Sequence, residues 1–386
     1  MLTKNINFIN FRIKKKSKLI TKKLKSIFKE NNQVIKSLSN KYKNSYNINN
    51  LKFFKKELDF RIIGMGGSIL GANAIYDFLK KNIKKKFYFI DNLQSNFNHD
   101  LRKNYNNLII SKSGNTIETI VNANILIKKK NKNLFLIENK KNYLHLIANK
   151  LKAEIVEHNN YIGGRYSVLS EVGMLPAELM GLNPKKFKQF NYLIKNRKFI
   201  DNLVINVNNI IHFINNKKFN SIIINYDEKS INLFNWYQQL VAESLGKKSK
   251  GVLPIISNMP RDNHSVMQLY LDGFKNNFFT FFYVKEYNSP KINNTNILSL
   301  KKYLKNKDID KIILAQQNAT QNVFKNKNIP FRTFEIKKRD EKTLGELFTF
   351  FILETILIGR ILKINTFDQP AVELIKSETK NILIKI

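Results

Sequence analysis

The stretch from 107 to 127 reads NLIISKSGNTIETIVNANILI, and it decides the fold class. The apolar run Leu108–Ile110 is typical of a buried strand, and the apolar positions of Ile117–Ile127 recur at the spacing of a helix. A strand that passes through a short loop into a helix is the first half of a βαβ unit. The stretch therefore predicts a parallel sheet with helices packed on it.

The loop between this strand and this helix has the chemistry of an anion site. It contains the hydroxyls of Ser111, Ser113 and Thr116, the ammonium of Lys112, and Gly114. The first N–H groups of a helix have no partner within the helix and lie at the positive end of its dipole. Together these groups suit a phosphate monoester. The alternative is a cluster of N-cap residues without a ligand, because Ser and Thr are common caps.

The composition is that of a globular protein of the reducing cytoplasm. A chain of 386 residues, 43% of them hydrophobic, is long enough for two domains. It contains no Cys, which excludes disulfides and thiolate metal sites. Met1–Lys18 has no unbroken apolar core, so we expect no secretory signal. The apolar segment Leu347–Ile364 is interrupted by Glu354 and Arg360 and predicts a buried helix, so we expect no membrane partner.

The formal charge of +38 raises the question of nucleic-acid binding. The positive residues are mostly Lys, whereas Arg is the usual reader of base edges. Lys is spread through all the surface-like stretches, and no nucleic-acid-binding motif accompanies it. We therefore expect no specific nucleic-acid partner. Such a surface still attracts phosphorylated metabolites by electrostatic steering that weakens with salt.

Short apolar runs alternate with helix-length segments from residue 61 onwards. The first set of predicted strands is Arg61–Met65, Phe87–Ile90, Leu108–Ile110, Leu134–Ile137 and Ala153–Val156. The second set is Ser221–Tyr226, Phe278–Val284, Lys311–Ala315 and Phe331–Ile336. Alternation of strands and helices predicts an α/β protein with two doubly wound parallel sheets, each in a three-layer α/β/α domain.

The predicted boundaries follow from this pattern. Residues 1–50 are rich in Lys and Asn and predict an N-terminal helical extension, packed on the outside. The first α/β domain is predicted over 51–205 and carries the phosphate-binding loops, and the second over 206–342. Residues 343–386 predict a C-terminal helical tail with a long apolar helix, a loop at Asn365–Pro370 and a closing helix.

A second loop of small residues follows the first predicted strand. It reads Gly64-Met65-Gly66-Gly67-Ser68, and the next strand ends at Asp91. This is a partial dinucleotide fingerprint, because the third Gly would stand at position 69, where the chain has Ile69. Ligands of open α/β sheets bind at the carboxyl ends of the strands. Two neighbouring loops with Gly and hydroxyl groups therefore fit one phosphorylated sugar better than a nucleotide.

Other residues carry weaker signals when each is taken alone. Gly163 and Gly164 free the backbone before Arg165, which points either into a cleft or into an exposed ion pair. Glu243 lies near the C-terminus of a predicted helix, where the dipole disfavours a carboxylate, but taken alone it is better explained as a surface Glu. His264 lies in a loop and Lys376 in a Lys-rich tail, and both are consistent with solvated surface groups.

Taken together, these pieces resemble the glucose-6-phosphate isomerase (phosphoglucose isomerase) family in order and spacing. The matching elements are the Gly-x-Gly-Gly-Ser loop at 64–68, Ser-Lys-Ser-Gly-x-Thr-x-Glu at 111–118, Asn-x-Ile-Gly-Gly-Arg-Tyr-Ser at 160–167, Glu-Ser-x-Gly-Lys at 243–247, the His264 loop, and Phe-Asp-Gln…Val-Glu-x-x-Lys at 367–376. They span about 61–380. The family tail usually reads Phe-Asp-Gln-x-Gly-Val-Glu. This chain departs from it, with Pro370 at the variable position and Ala371 in place of the Gly.

The resemblance implies a fold and a role for each candidate residue. The fold is that of sugar isomerase (SIS) domains, and the activity is the interconversion of glucose 6-phosphate and fructose 6-phosphate through a cis-enediolate. Glu243 would move the proton between C1 and C2, and Arg165 would stabilise the developing charge. His264 and Lys376 would open the sugar ring. The remaining implied substrate contacts are Gly67, Ser68, Ser111, Lys112, Ser113, Thr116, Glu118, Gly164 and Gln369.

The resemblance also implies partners and a pathway. The enzyme would act in glycolysis and gluconeogenesis as a homodimer, with His264 reaching the site of the partner subunit. It would need no metal and no organic cofactor. A dual phosphoglucose/phosphomannose isomerase is a close alternative. A non-catalytic sugar-phosphate sensor on the same fold is a more distant one, because it would be expected to lack Glu243 or Arg165, and both are present.

Overall fold

The computed structural model describes residues 2–13, 15–47, 49, 51–96, 103–285, 289–292 and 301–386. Its strands are β1 (Ile6–Ile9), β2 (Asp59–Ile63), β3 (Lys86–Ile90), β4 (Asn106–Ser111), β5 (Asn133–Ile137), β6 (Glu154–Glu157), β7 (Asn220–Asn225), β8 (Leu253–Asn258), β9 (Asn277–Val284) and β10 (Phe331–Ile336). Its α-helices are α1 (Lys18–Lys29), α2 (Gln33–Leu38), α3 (Lys52–Lys55), α4 (Leu70–Phe78), α5 (Ile117–Leu126), α6 (Tyr143–Leu151), α7 (Glu171–Leu179), α8 (Pro184–Phe187), α9 (Phe190–Leu193), α10 (Arg197–Asn215), α11 (Ile231–Leu245), α12 (Met267–Asp272), α13 (Ile309–Asn326), α14 (Glu341–Leu362) and α15 (Pro370–Lys385). Short 3₁₀ turns occur at Gly66–Ser68, Lys80–Asn82, Gly164–Leu169, Glu228–Ser230, Arg261–His264 and Lys302–Leu304.

The first sheet contains the five strands predicted in the first half of the chain. Its order is β3-β2-β4-β5-β6, and all its strands are parallel. The strands are apolar almost throughout, as β5 shows with all five of its residues buried, because helices cover both faces of such a sheet. The predicted doubly wound α/β fold is confirmed.

The second sheet has the order β1-β10-β9-β7-β8, and β7 to β10 are parallel to one another. Its edge strand β1 is antiparallel to β10, with Ile6 opposite Ile336. The prediction of helices alone for residues 1–50 was therefore wrong at the start of the segment, although α1 and α2 are helices. Ile6 and Phe8 alternate inward along β1, but a strand of only four residues in an Asn-rich stretch carries too little pattern to be recognised.

Two further differences lie in the second sheet. The segment Lys311–Ala315, predicted as a strand, belongs to helix α13, which begins where the Asp308 side chain accepts a hydrogen bond of 2.8 Å from the Lys311 amide. Short apolar runs fit either structure, and here the cap and the longer pattern prevail. Strand β8 was not predicted, and it contains Pro254, a residue that is disfavoured in central strands. It pairs with β7, at the edge of the sheet, where Pro is tolerated.

The predicted division at 205/206 falls inside the continuous helix α10. The two-domain boundaries therefore stay a prediction, although each half has its own sheet. The predicted C-terminal helices both exist. Helix α14 is buried from Thr343 to Gly359 and packs on α10 and α11, whereas α15 has no buried residue. Within the described ranges, no helix combines the length and the apolar character that crossing a membrane requires.

Helix α11 joins the two halves of the molecule. It follows β7 of the second sheet and packs against α4, which follows β2 of the first sheet, as well as against α14. Its buried face includes Trp236 and Leu240. As a result, side chains on the last turns of α11 face loops that belong to the first sheet.

Candidate active site

Two loops meet at the carboxyl edge of the first sheet. The loop 64–68 follows β2, and the loop 112–116 follows β4. These strands are neighbours, but the chain goes from β2 to β3 on one side and from β4 to β5 on the other. The point where the strand order reverses in this way is the usual ligand crevice of a doubly wound sheet.

The N-terminus of α5 in this crevice has no side-chain cap. Thr116 occupies the N-cap position, but its side chain accepts no bond from the helix amides. Its Oγ1 instead accepts a hydrogen bond of 3.3 Å from the buried Ser111 hydroxyl. Ser113 is exposed and accepts from the Asn115 amide at 3.2 Å. The first amides of α5 therefore remain available to an anion. In a simple cluster of caps, side-chain oxygens would already accept hydrogen bonds from these amides.

Gly67 brings the loop after β2 against the turn that carries Arg165. A Cβ on Gly67 would lie 2.1 Å from the carbonyl carbon of Gly164 and 2.5 Å from the amide nitrogen of Arg165. Only Gly fits at such a distance. The half-buried Ser68 follows directly in this loop. The predicted contacts Gly67, Ser68 and Gly164 thus lie together.

Arg165 is 2% exposed, and its guanidinium is held from several sides. Its Nε donates to Ser244 Oγ at 2.9 Å, its Nη1 to Gln369 Oε1 at 2.9 Å, and its Nη2 to the carbonyl oxygens of Thr366 at 2.7 Å and Asp368 at 2.9 Å. A buried charge needs such partners to compensate for lost hydration. Of the two alternatives that the sequence left open for Arg165, this burial excludes an exposed ion pair.

Glu243 faces this arginine from the last turn of α11. Its Oε1 lies 3.1 Å from Arg165 Nη1, and its side chain is 23% exposed, so the carboxylate is still open to solvent. The next residue, Ser244, is buried with its hydroxyl 2.8 Å from that of Tyr166, which donates to Thr366 O at 3.1 Å. Burial raises the pKa of Tyr166, so its phenol stays protonated as a donor. A carboxylate and a guanidinium are therefore adjacent beside the loop after β2.

The turn before α15 is anchored by a second cation. Lys247 donates to Asn365 O at 2.6 Å and pairs with the Asp368 carboxylate at 2.8 Å, which lowers the pKa of Asp368. Together with the bonds from Arg165, this places Gln369 beside the guanidinium. Pro370 then begins α15 at a position that suits its fixed φ.

Other predicted residues lie at varying distances from this centre. Glu118 is half-buried in the first turn of α5, and the Lys112 ammonium lies 3.7 Å from a carboxylate oxygen of Glu138. Lys376 is exposed on α15 and pairs with Glu373 at 2.7 Å. His264 is exposed in the turn after β8. The structure therefore does not bring Lys376 or His264 to Arg165 and Glu243 within one chain.

One residue beside these loops, Gln239, was not singled out by the sequence analysis. Gln239 lies one helical turn before Glu243 on α11, and a Cβ on Gly66, whose φ is +51°, would lie 2.9 Å from its Nε2. Its Oε1 is buried without a hydrogen-bond partner among the described residues. The i, i+4 spacing from Glu243 was the available signal, because it puts both side chains on one helix face. Across the described part of the chain, no three His, Asp or Glu side chains form a group that could hold a metal.

Comparison with solved structures defines the class of fold. The chain superposes on a hypothetical protein from Thermus thermophilus with a TM-score of 0.80 at 21% identity, covering 95% of this chain and 94% of that one. It superposes on a glucose-6-phosphate isomerase from Chlamydia trachomatis with a TM-score of 0.70 at 18% identity, covering 87% and 71%. The fold, with its loops at the switch point, is that of phosphosugar isomerases.

Sequence comparison then identifies the family. The phosphoglucose isomerase family model matches residues 8–256. A glucose-6-phosphate isomerase of Methanocaldococcus jannaschii is 34% identical over 334 residues, covering 81% of each chain. One of Mycoplasmopsis pulmonis is 34% identical over 384 residues, covering 88% of this chain and 86% of the relative. The chain belongs to the phosphoglucose isomerase family, as its motifs predicted.

Proposed function

We propose that this protein is an aldose–ketose isomerase that interconverts D-glucose 6-phosphate and D-fructose 6-phosphate. The observation that carries the proposal is the pair formed by Glu243 and the buried Arg165, 3.1 Å apart, beside an uncapped helix N-terminus. A carboxylate can take and return a proton, a buried guanidinium can stabilise an enediolate, and helix amides can hold a phosphate. Membership of the phosphoglucose isomerase family supports the same reaction.

The phosphate is assigned to the switch point of the first sheet. The amides at the start of α5 and the loop after β2 would bind its oxygens, and the Lys112 ammonium would leave Glu138 for the dianion. The side chains assigned to this contact are Ser68, Ser111, Lys112, Ser113 and Thr116. Gly67 and Gly164 would let the backbone approach the substrate.

The proton transfer is assigned to Glu243. With the sugar open, its carboxylate would remove the C2 proton of the aldose and return it to C1, while a proton passes from O2 to O1, which yields the ketose. Arg165 would stabilise the negative charge on the enediolate oxygens through Nη1, the nitrogen that faces Glu243. Gln369 would lie beside the same Nη1 nitrogen. Gln239 would accept a hydrogen bond from a sugar hydroxyl through its buried Oε1. Glu118 would lie near the reacting end of the sugar.

Ring opening is assigned to Lys376 and to His264 of a second subunit. The exposed position of His264 supports a role outside its own chain. Helix α15 supports an oligomer, because it exposes apolar side chains such as Leu374 at 73% and Ile384 at 73%. We therefore propose a homodimer that acts in the cytoplasm, in glycolysis and gluconeogenesis.

The test of the activity is a coupled assay with purified protein and fructose 6-phosphate, without added metal. Appearance of glucose 6-phosphate supports the proposal, and its absence from folded protein refutes it. Parallel turnover of mannose 6-phosphate at a comparable rate would favour the dual isomerase. Binding of fructose 6-phosphate without turnover would favour the sensor.

A mixing experiment tests the shared site. Glu243→Gln and His264→Ala are each expected to be inactive alone. If His264 serves the partner's site, a heterodimer of the two variants contains one intact site, and activity returns on mixing. If His264 serves its own chain, both sites stay defective and mixing restores nothing.

A further inference from the structure

A buried polar cluster lies outside the site, at the base of the turn that carries Arg165. Glu171, the first residue of α7, is fully buried. Its Oε1 accepts a hydrogen bond of 2.8 Å from the Asn159 amide, and its Oε2 accepts one of 2.8 Å from the Tyr42 hydroxyl. The Asn159 side-chain amide donates to the same hydroxyl at 3.3 Å. One carboxylate thus joins three parts of the chain.

The bond between Glu171 and Asn159 closes a loop. The two residues are 12 apart in the chain, and the loop between them contains Gly163, Gly164 and Arg165. Gly in two successive positions leaves this backbone intrinsically free, so its position depends on how the ends of the loop are fixed. Glu171 fixes both ends to each other. Tyr42, which lies just after α2, in turn connects this loop to the N-terminal segment.

A buried lysine holds the far end of the same loop. The Lys188 ammonium donates to Ser37 O at 2.6 Å and to Leu169 O, and it lies 4.9 Å from the centre of the Tyr42 ring. Burial lowers the pKa of Lys188 to about 7, which the charge of Glu171 opposes. Leu169 ends the 3₁₀ turn that begins at Gly164. The cluster therefore contacts the Arg165 turn before and after the arginine.

We propose that Glu171 and Tyr42 are positioning residues for Arg165, and this rests on the proposed isomerase function. They touch neither substrate nor reacting atoms. They hold the base of the 159–171 loop, so that the guanidinium meets Glu243 and the enediolate in the correct place. Displacement of a charged group by a fraction of an ångström reduces stabilisation of the transition state more than binding of the substrate.

The experiment compares Tyr42→Phe and Glu171→Gln with the matched control Glu346→Gln. Glu346 is also a buried carboxylate on a helix, and it accepts a hydrogen bond of 2.7 Å from Thr3 of the N-terminal segment, whereas Glu171 accepts one from Asn159 at the base of the loop that carries Arg165. Tyr42→Phe removes only the hydroxyl and keeps the ring beside Lys188. It is the mild variant that remains informative if Glu171→Gln folds poorly.

The expected result is a change in kcat without a change in KM. Both variants should lose about tenfold in kcat for fructose 6-phosphate, with KM within about twofold. Affinity for 5-phosphoarabinonate, whose carboxylate mimics the enediolate charge, should fall by a similar factor. Glu346→Gln should keep the wild-type kcat at a similar loss of Tm. Hydrogen exchange of the 159–165 peptide should accelerate in Tyr42→Phe and Glu171→Gln, the two clamp variants, because they loosen the base of the loop. It should not accelerate in Glu346→Gln.

Three results would overturn the proposal. They are a kcat within twofold of wild type in both clamp variants, an equal kcat loss in Glu346→Gln, and an effect confined to KM. Wild-type protein without isomerase activity would instead refute the proposed function. In that case hydrogen exchange alone tests whether Glu171 and Tyr42 hold the loop. Unchanged exchange of residues 159–165 in their variants would refute that role independently of any activity.

Discussion

The two sheets share a strand order but end in different chemistry. In the first, β2 lies between β3 and β4, and in the second, β7 lies between β8 and β9, so each has a reversal of strand order. The loops after β2 and β4 offer Gly, hydroxyls and an uncapped helix N-terminus. The loop after β7 offers Asp227 and Glu228, which would repel a phosphate.

The polar groups after β7 are used by the protein itself. Asp227 is buried and forms an ion pair with Arg339, whose guanidinium lies over the ring of Phe78. Ser230 donates its hydroxyl to the same Asp227. The second sheet therefore serves the site through α11, the helix that follows β7, rather than through its strand-end loops. Topology supplies a crevice at both edges, and the loop residues decide which one is a site.

The largest expected effect separates two carboxylates of the second half, Glu243 on α11 and Glu228 in the loop after β7. Glu243→Gln removes the proposed base, and kcat should fall by about 10³-fold with KM near the wild-type value, in a coupled assay. Glu228→Gln, in the exposed turn after β7, should leave both constants unchanged. Substantial turnover by Glu243→Gln would contradict the assignment of the base.

The next effect concerns the shape of the buried cation. Arg165→Lys keeps the charge, but one ammonium cannot replace the four hydrogen bonds and the ion pair that the guanidinium makes. We expect kcat to fall by about 10²-fold. Retention of more than a third of wild-type kcat would show that a point charge suffices and that the geometry of the guanidinium is unimportant.

A smaller effect is expected at the phosphate loop. Ser111→Ala and Lys112→Ala should each raise KM for fructose 6-phosphate by about tenfold, with kcat little changed, because they remove contacts to the non-reacting end. Ser230→Ala, a hydroxyl removed after β7 of the second sheet, is the matched control and should not change KM. An unchanged KM in the first two variants would exclude their contact with the phosphate.

The smallest effect on activity is expected at the carboxyl edge of the second sheet, in the loop after β7. Arg339→Met leaves Asp227 buried without its cation, which should lower the free energy of unfolding by about 3 kcal/mol. The kcat and KM should stay within twofold of wild type. Denaturant unfolding and the coupled assay measure the two quantities. A large loss of activity at preserved stability would mean that the second edge also belongs to the site.

Much of the first half could be predicted from sequence. Its strands are apolar runs, two of which lead into loops with Gly and Ser, and Gly163-Gly164-Arg165 lies in the loop after the fifth strand. The four-residue β1 escaped prediction because it is too short to show a period and pairs with β10, far along the chain. Strand β8 escaped it too, and Pro254 is atypical of a strand. Lys311–Ala315 was wrongly predicted as a strand because five apolar-rich residues fit two periods equally.

Within the site, the sequence could not show which residues, distant along the chain, come into contact. The contact between Glu243 and Arg165 joins residues from different halves, and it depends on α11 packing against α4. Gln239 went unnoticed for the same reason, because a Gln on a helix carries no signal until Gly66 is found against it. Glu171 and Tyr42 are ordinary residues in the sequence, and only burial shows that they close the Arg165 loop.

The proposed mechanism requires that a proton passes between C1 and C2 by way of Glu243, with the phosphate held at the edge of the first sheet. The most direct test is proton NMR of fructose 6-phosphate incubated with metal-free protein in deuterated water. Wild-type protein should form glucose 6-phosphate and introduce deuterium at the exchanging carbon, and Glu243→Gln should do neither. Product formed without deuterium, and at an equal rate by Glu243→Gln, would contradict the central claim.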